Sequence, residues 1–324
     1  MKLSIPALFL LNIMFLSTLD AAKVVFLYGA RSHASGDHEF QAGSHLLAKH
    51  INAQNKVDLK ATVHSGWPED DSILDDADAI VIYADGTKVI GNGWEKMDQL
   101  VKEKKIGVLF MHYAVHPSVE QGEQYYLPWI GGFFENGISV NPFWRANIKP
   151  KKGHETARGV GKIEAVDEFY FNIKLHPDSL NLGAATPNEK NLLRINNIWT
   201  RAAYLAKGKT QSLLWGITRP GGGRGAGFTG GHHHRNWAID GYRQLVLNTI
   251  AWIAGEKVPS SGVPTYSVTE DELNEKLDDY GDRTNRVKLP TKADITFTPG
   301  PWLSLIHISE PTRLLSIACE GLCV

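Results

Sequence analysis

The stretch IGVLFMHY, Ile106–Tyr113, is the longest apolar strand signal in the body of the chain. A continuous apolar run that stops abruptly at polar residues reads as a strand buried on both faces of a parallel sheet. Moving outward from it, the same signature recurs in AIVIYA (79–84) and in KVVFLYG (23–29). Between these runs lie helical patterns. Over residues 39–54, Phe40, Gly43, Leu46, Leu47, His50 and Ile51 recur at helical spacing, with Asp37 or His38 near the start. A further strand is expected around Leu59–His64, a loop at Trp67–Pro68, a helix over 94–104 and a helical segment over 117–131. Strand–helix–strand alternation of this kind predicts an α/β fold, a parallel sheet with helices on both faces.

After about residue 145 the pattern changes to extended runs separated by turns, at 146–149, 169–174, 213–218 and 226–229. An amphipathic helix over 242–254 carries Leu245, Val246, Thr249, Ile250 and Ile253 on one side. One domain, residues 23–256, is expected, followed by a peripheral polar tail over 257–302 with an acidic helical piece at 270–277. Residues 1–22 read as a signal peptide: Lys2, an apolar stretch from Ile5 to Leu16, then small residues. That stretch is short for a span, which needs about 20 residues. Export to a periplasm or beyond is expected, with no membrane span after cleavage. Residues 303–324 bear no relation to what precedes them, and SLIHISEPTR within them looks like translated sequencing-adapter read-through.

Composition removes several function classes. Net charge is −1 and no basic stripe is present, so nothing marks a nucleic-acid binder. Cys319 and Cys323 are the only cysteines, so the body has no cysteine nucleophile, disulfide frame or cysteine-based zinc site. The 13 histidines stand out instead, because many sit beside glycine at expected strand ends.

Ligands of an open parallel sheet sit at the carboxyl ends of the strands. That edge collects Ser32, His33, Asp37 and His38 after the first strand, Asp85 after the third and His112 after the fourth. The run GFTGG delivers His232, His233 and His234 to the same edge. Such a set has two chemical uses. Neutral imidazoles bind a divalent metal such as zinc or manganese, here His33, His38, His112, His232 and His234. Alternatively, His112 and His232, with Glu168, act as acid–base groups. His232 and His234 would share a face if the stretch is extended. Ser32, Asp85, Arg219 and Trp237 are candidates for substrate binding, through hydrogen bonds, a guanidinium clamp and stacking. Each has a plain structural alternative, and His116, His154 and His176 read as caps or loop hydrogen bonders. The glycine-rich GGGRGAG (221–227) lacks phosphate-loop spacing and reads as a turn.

These motifs carry a resemblance. VVFLYGARSHASGDHEFQAGSHLLAKHI, GWPED, AIVIYADG, GVLFMHYAVH, VDEFYFNI, LLWGITRPGGGRGAGFTGGHHHRNW and YRQLVLNTIAWIAGEKVP follow the order of the ThuA-like (trehalose utilisation) family. The GGHHHRNW form is similar to exported members from planctomycete-type bacteria. The resemblance implies a flavodoxin-like fold related to class I glutamine amidotransferases. It also implies that His112 stands at the turn where an amidotransferase carries its cysteine, so thioester chemistry is absent. Implied too are hydrolase, lyase or isomerase action on a carbohydrate, in particular a 3-keto glycoside supplied by a partner sugar dehydrogenase, and the homo-oligomers seen in the family. The alternative is a non-catalytic carbohydrate-binding protein of the same fold.

Overall fold

The computed structural model describes residues 20–188, 192 and 205–294, so the expected adapter-derived segment and nearly all of the expected leader lie outside the described residues. The described residues form eleven strands: β1 (Ala22–Tyr28), β2 (Leu59–Ser65), β3 (Ala79–Tyr83), β4 (Gly107–Met111), β5 (Gly132–Phe133), β6 (Trp144–Pro150), β7 (Ile163–Asp167), β8 (Lys174–Leu175), β9 (Leu180–Ala185), β10 (Gln211–Thr218) and β11 (Arg224–Phe228). Nine form one sheet in the order β2-β1-β3-β4-β11-β10-β9-β6-β7. The half from β2 to β11 is parallel throughout. From β11 through β10, β9, β6 and β7 every pair is antiparallel.

The parallel half is apolar because both its faces are covered. Along β1, Val24 and Phe26 join one core and Val25 and Leu27 the other. β3 and β4 are buried at every position. The first core lies under α1 (Phe40–Ala53) and a long helix, Asp240–Ile253, whose inner side includes Leu245, Val246 and Ile250. The second lies under α2 (Trp94–Gln99), which contributes Met97, and the helical turns of 119–130, which contribute Tyr126, Trp129 and Ile130. Close approach of α1 to the sheet depends on Gly43. A Cβ there would lie 2.6 Å from the Tyr83 ring.

Two expectations need correction. The extended run expected at 169–174 is displaced: the strand is Ile163–Asp167, and Phe169, Tyr170 and Phe171 are buried in the turn that follows. The tail is not peripheral. Val258, Val263, Val268, Leu273 and Val287 are buried in the first core, and Arg243 donates to the Thr265 hydroxyl at 2.8 Å. No helix among the described residues is long and apolar enough to cross a membrane.

Candidate metal centre

Four segments deliver side chains to one point at the carboxyl edge. β1 leads through a loop to His38, β4 ends at His112, β11 runs through Thr229 to His232, and β7 is followed by Glu168. The Nε2 atoms of His38 and His112 are 2.9 Å apart, and His38 Nε2 is 2.9 Å from His232 Nδ1. The Glu168 Oε2 atom lies 3.6 Å from both His112 Nε2 and His232 Nδ1. All four ligand atoms fall within 4.8 Å of one another.

Three outer acceptors occupy the far nitrogens of these rings. His112 Nδ1 donates to the Thr229 carbonyl at 2.9 Å. His38 Nδ1 donates to Asp85 Oδ1 at 2.8 Å. His232 Nε2 faces Asp37 Oδ2 at 3.7 Å. The first two acceptors hold the ring proton on the outside and so turn a bare lone pair inward, the arrangement that orients imidazoles around a metal, while Asp37 stands beyond hydrogen-bond distance as an ion-pair partner of His232. Hydrogen bonds cannot account for both of the 2.9 Å contacts at His38 Nε2 once its proton is on Nδ1. A cation can. Zinc–nitrogen bonds of about 2.0–2.1 Å in a tetrahedron place nitrogens about 3.3 Å apart, close to the spacing here.

Backbone conformation also marks the point. His38 and His112 have φ of 52° and 54°, two of five non-glycine residues in the left-handed region among those described. Side chains other than glycine adopt that region at a cost of about 1–3 kcal/mol, and such strain concentrates at functional sites. The loop to His232 needs Gly231 at φ 115°.

Electrostatics favour a positive charge here. Burial drives His38 down to about 3, and the neighbouring His112 adds to that. His112 is lowered by its complete burial, which outweighs Glu168. His232 also loses solvent, but the carboxylates of Asp37 and Glu168 overcome this and raise it to about 9. Two neutral imidazoles and one cation-stabilising position result. The position that holds a proton can hold a metal in its place.

Asp167, the neighbour of Glu168, builds the loop that carries His232. Its buried carboxylate accepts from the backbone N–H groups of Gly231 (2.9 Å), His232 (3.0 Å) and His233 (3.3 Å). The Asn236 amide (3.0 Å) and Tyr242 hydroxyl (2.7 Å) also donate to it. Burial pushes this carboxyl up, yet the nearby histidines and these donors hold it below the usual range. Asn141, donating to Glu168 Oε1 at 3.0 Å, and Phe143, 4.7 Å from the His232 ring, were not singled out in the sequence.

The other candidates divide. His33 stacks on His38 with ring centroids 3.5 Å apart and sits at the rim, its Nδ1 2.9 Å from the Ser32 hydroxyl. It is a neighbour of the four converging residues, not one of them. His234 is excluded: residues 234–238 form a 3-10 turn, not a strand, and His234 Nε2 donates to the Leu273 carbonyl at 3.0 Å. His233 instead meets Asp37 at 2.7 Å. Trp237 is fully buried between Tyr83 and Tyr242 and cannot stack on a ligand. Arg219 lies at the opposite edge, where its guanidinium donates to backbone carbonyls, including those of Trp129 (3.0 Å) and Arg224 (2.9 Å). His154 caps a turn, accepting from the Thr156 N–H, and His176 accepts from the Asp178 N–H.

Fold and site together define a flavodoxin-like α/β protein with a mostly parallel sheet covered by helices and a histidine cluster at the carboxyl edge of that sheet. The chain belongs to the ThuA family, described as trehalose utilisation, which matches residues 23–253. Similar solved structures include a ThuA-like protein from Parabacteroides merdae (14% identity, 81% of this chain and 98% of that one, TM-score 0.52). Another is a ThuA-like protein from Bacteroides uniformis (12% identity, 77% and 95%, TM-score 0.50). The glutaminase domain of Trypanosoma brucei CTPS aligns more loosely (9% identity, 74% and 97%, TM-score 0.41). No curated protein matches the chain.

Proposed function

We propose that this is an exported, metal-dependent enzyme that opens oxidised glycosides, most simply 3-keto glycosides, by proton abstraction and elimination. The observation that carries the reading is the convergence of three imidazole nitrogens and one carboxylate, of His38, His112, His232 and Glu168, on a single point. A divalent cation bound there would act as a Lewis acid on the ketone oxygen and acidify the adjacent C–H. His112 and His232, expected as bases, are taken up as ligands. The base falls to His33, whose Nδ1 is fixed by Ser32 and whose side chain is 44% exposed toward the crevice.

In that scheme His33 takes the proton from C2, next to the carbonyl carbon. The C–H electron pair forms the C1=C2 double bond as the C1–O bond breaks, and the departing oxygen takes a proton. No paired carboxylates of the ordinary glycosidase kind are required. Phe143 and the partly exposed Tyr113 line the same edge and suit the apolar face of a sugar ring.

The test is elemental analysis of the tag-free mature protein, followed by a 3-keto-glycoside panel. Near-stoichiometric zinc or manganese, lost in His112→Ala and His232→Ala together with turnover, is the expected result. A protein that takes up no divalent ion would sink the metal reading. Unchanged ligand binding with no turnover in any metal form would favour the non-catalytic carbohydrate binder.

A further inference from the structure

We propose that residues 278–285, which lie beyond the stretch matched to the family, clamp the loop 31–38 and thereby position the metal ligand His38 and its neighbour Asp37. The proposal rests on the metal reading for its consequence, though not for the clamp itself.

The loop has little structure of its own. Its internal backbone bonding is a single turn, from the Asp37 N–H to the Ala34 carbonyl at 2.9 Å, and His38 then adopts a strained left-handed backbone. A segment with so few local bonds is held by whatever packs on it. On one side it meets the histidine loop: the His38 N–H donates to the His232 carbonyl at 2.8 Å and the His234 N–H to the Gly36 carbonyl at 3.0 Å. On the other side it meets the tail at four places. The Asp278 N–H donates to Glu39 Oε2 at 2.7 Å, while Glu39 Oε1 accepts from the Gly36 N–H at 2.8 Å. One buried carboxylate therefore joins loop, helix start and tail. The Tyr280 hydroxyl donates to the His33 carbonyl. Arg31 donates to the Asp279 carbonyl and lies 4.6 Å over the Tyr280 ring. The Asn285 N–H donates to the Ser35 hydroxyl at 2.9 Å.

The same tail reaches the second metal-bearing loop, because the Leu273 carbonyl takes the His234 ring N–H. Anchoring to the domain is separate: Lys49 on α1 pairs with Glu272 and Glu275 at 3.2 and 3.0 Å. Tyr280 is thus a positioning residue, acting on His38 through the backbone of His33.

The experiment compares full-length wild type with Tyr280→Phe, Arg31→Ala and, as a control on the anchor, Glu275→Ala. Two quantities are read: amide hydrogen exchange of residues 31–38 and zinc affinity by chelator competition, each beside the melting temperature. Tyr280→Phe and Arg31→Ala are expected to speed exchange in 31–38 selectively. They should weaken zinc binding about 10-fold, the scale of an outer-sphere loss, with melting little changed. Glu275→Ala should leave both readings as in wild type. Unaltered loop exchange in Tyr280→Phe and Arg31→Ala would overturn the clamp. So would a uniform rise in exchange across the domain, which marks a merely structural role. If wild type binds neither zinc nor manganese, the function proposed above fails, while the exchange comparison still decides the clamp.

Discussion

The two edges of the parallel sheet each bury charged or ionisable side chains, and they use them in opposite ways. At the amino edge, Arg219 is 7% exposed and its guanidinium is surrounded by carbonyls of Lys105, Ile106, Trp129, Gly222 and Arg224. Burial lowers it to about 10 without removing its charge at neutral pH. Every partner is backbone of the same fold, and nothing points outward to a ligand. At the carboxyl edge the ring donors of His38 and His112 are turned away, to Asp85 and Thr229, and their lone pairs face inward beside His232 and Glu168. A buried group whose valences are filled by its own backbone ties the fold together. A buried group whose free valences converge with others is waiting for a partner.

The largest test of that contrast is Arg219→Ala. It strands several buried carbonyls and opens a cavity, so a loss of about 4 kcal/mol in unfolding free energy is expected. Denaturant unfolding reads the loss, and zinc affinity of the folded protein should be unchanged. A folded Arg219→Ala protein with altered metal binding would erase the division between the edges. The mirror experiment is His112→Ala. Removing an inner ligand should weaken zinc by about 100-fold or more, above the range for outer-sphere partners. Chelator competition checks it, and the loss in apo-protein stability should be smaller than for Arg219→Ala.

The contrast was half legible in the sequence. β1, β3 and β4 announce themselves because strands covered on both faces are apolar throughout. The rule that loops at their carboxyl ends line the crevice then puts His38, Asp85 and His112 at one edge, where the structure also has them. Glycine pairs signalled the sharp approach to His232. What failed did so for local geometric reasons. His234 shares a face with His232 only in an extended chain, and Trp237 suits stacking only if exposed, but the chain coils into a 3-10 turn and sends both inward. Asp167 and Glu168 are neighbours at a strand end, so opposite orientation gives one to the loop scaffold and the other to the histidine cluster. Nothing in an acidic pair says which is which. Arg219 follows a strand that runs antiparallel to β11, so its strand end belongs to the opposite edge. The tail hides its packing because Val258, Val263 and Val268 are single apolar residues five apart, a spacing that fits neither the two-residue period of a strand nor the 3.6 of a helix.

A pH experiment sharpens the comparison away from the metal. His50 on α1 is buried, accepts or donates at Nδ1 to the Thr265 hydroxyl at 2.9 Å and stacks on Tyr266. Burial, then the nearby Arg243, lowers it to about 4, with Lys49 adding and Glu272 and Asp240 opposing. The folded value lies below the unfolded one of about 6.5. This stabilisation is therefore complete above pH 6.5 and is lost as pH falls toward 4. A loss of about 2 kcal/mol is expected over that window. His50→Gln should flatten it in acid-titrated melting curves, and a wild-type stability flat from pH 6.5 to 4 would contradict it.

The smallest effect separates orientation from charge at the carboxyl edge. Asp85 accepts the His38 Nδ1–H, and although burial pushes its carboxyl up, the hydrogen bonds from His38 and Ser32 hold it below the usual range. Asp85→Asn keeps an oxygen able to accept that N–H and removes the charge. If the amide oxygen takes the place of Oδ1, His38 keeps its tautomer and loses only basicity, so zinc affinity should fall about 10-fold. If the amide nitrogen faces His38 instead, it donates to Nδ1, the ring proton moves to Nε2 and the inward lone pair disappears. The loss would then approach that of His112→Ala. An affinity unchanged within error would show that His38 is not a ligand, and the cluster would reduce to packed histidines like the satisfied arginine at the other edge.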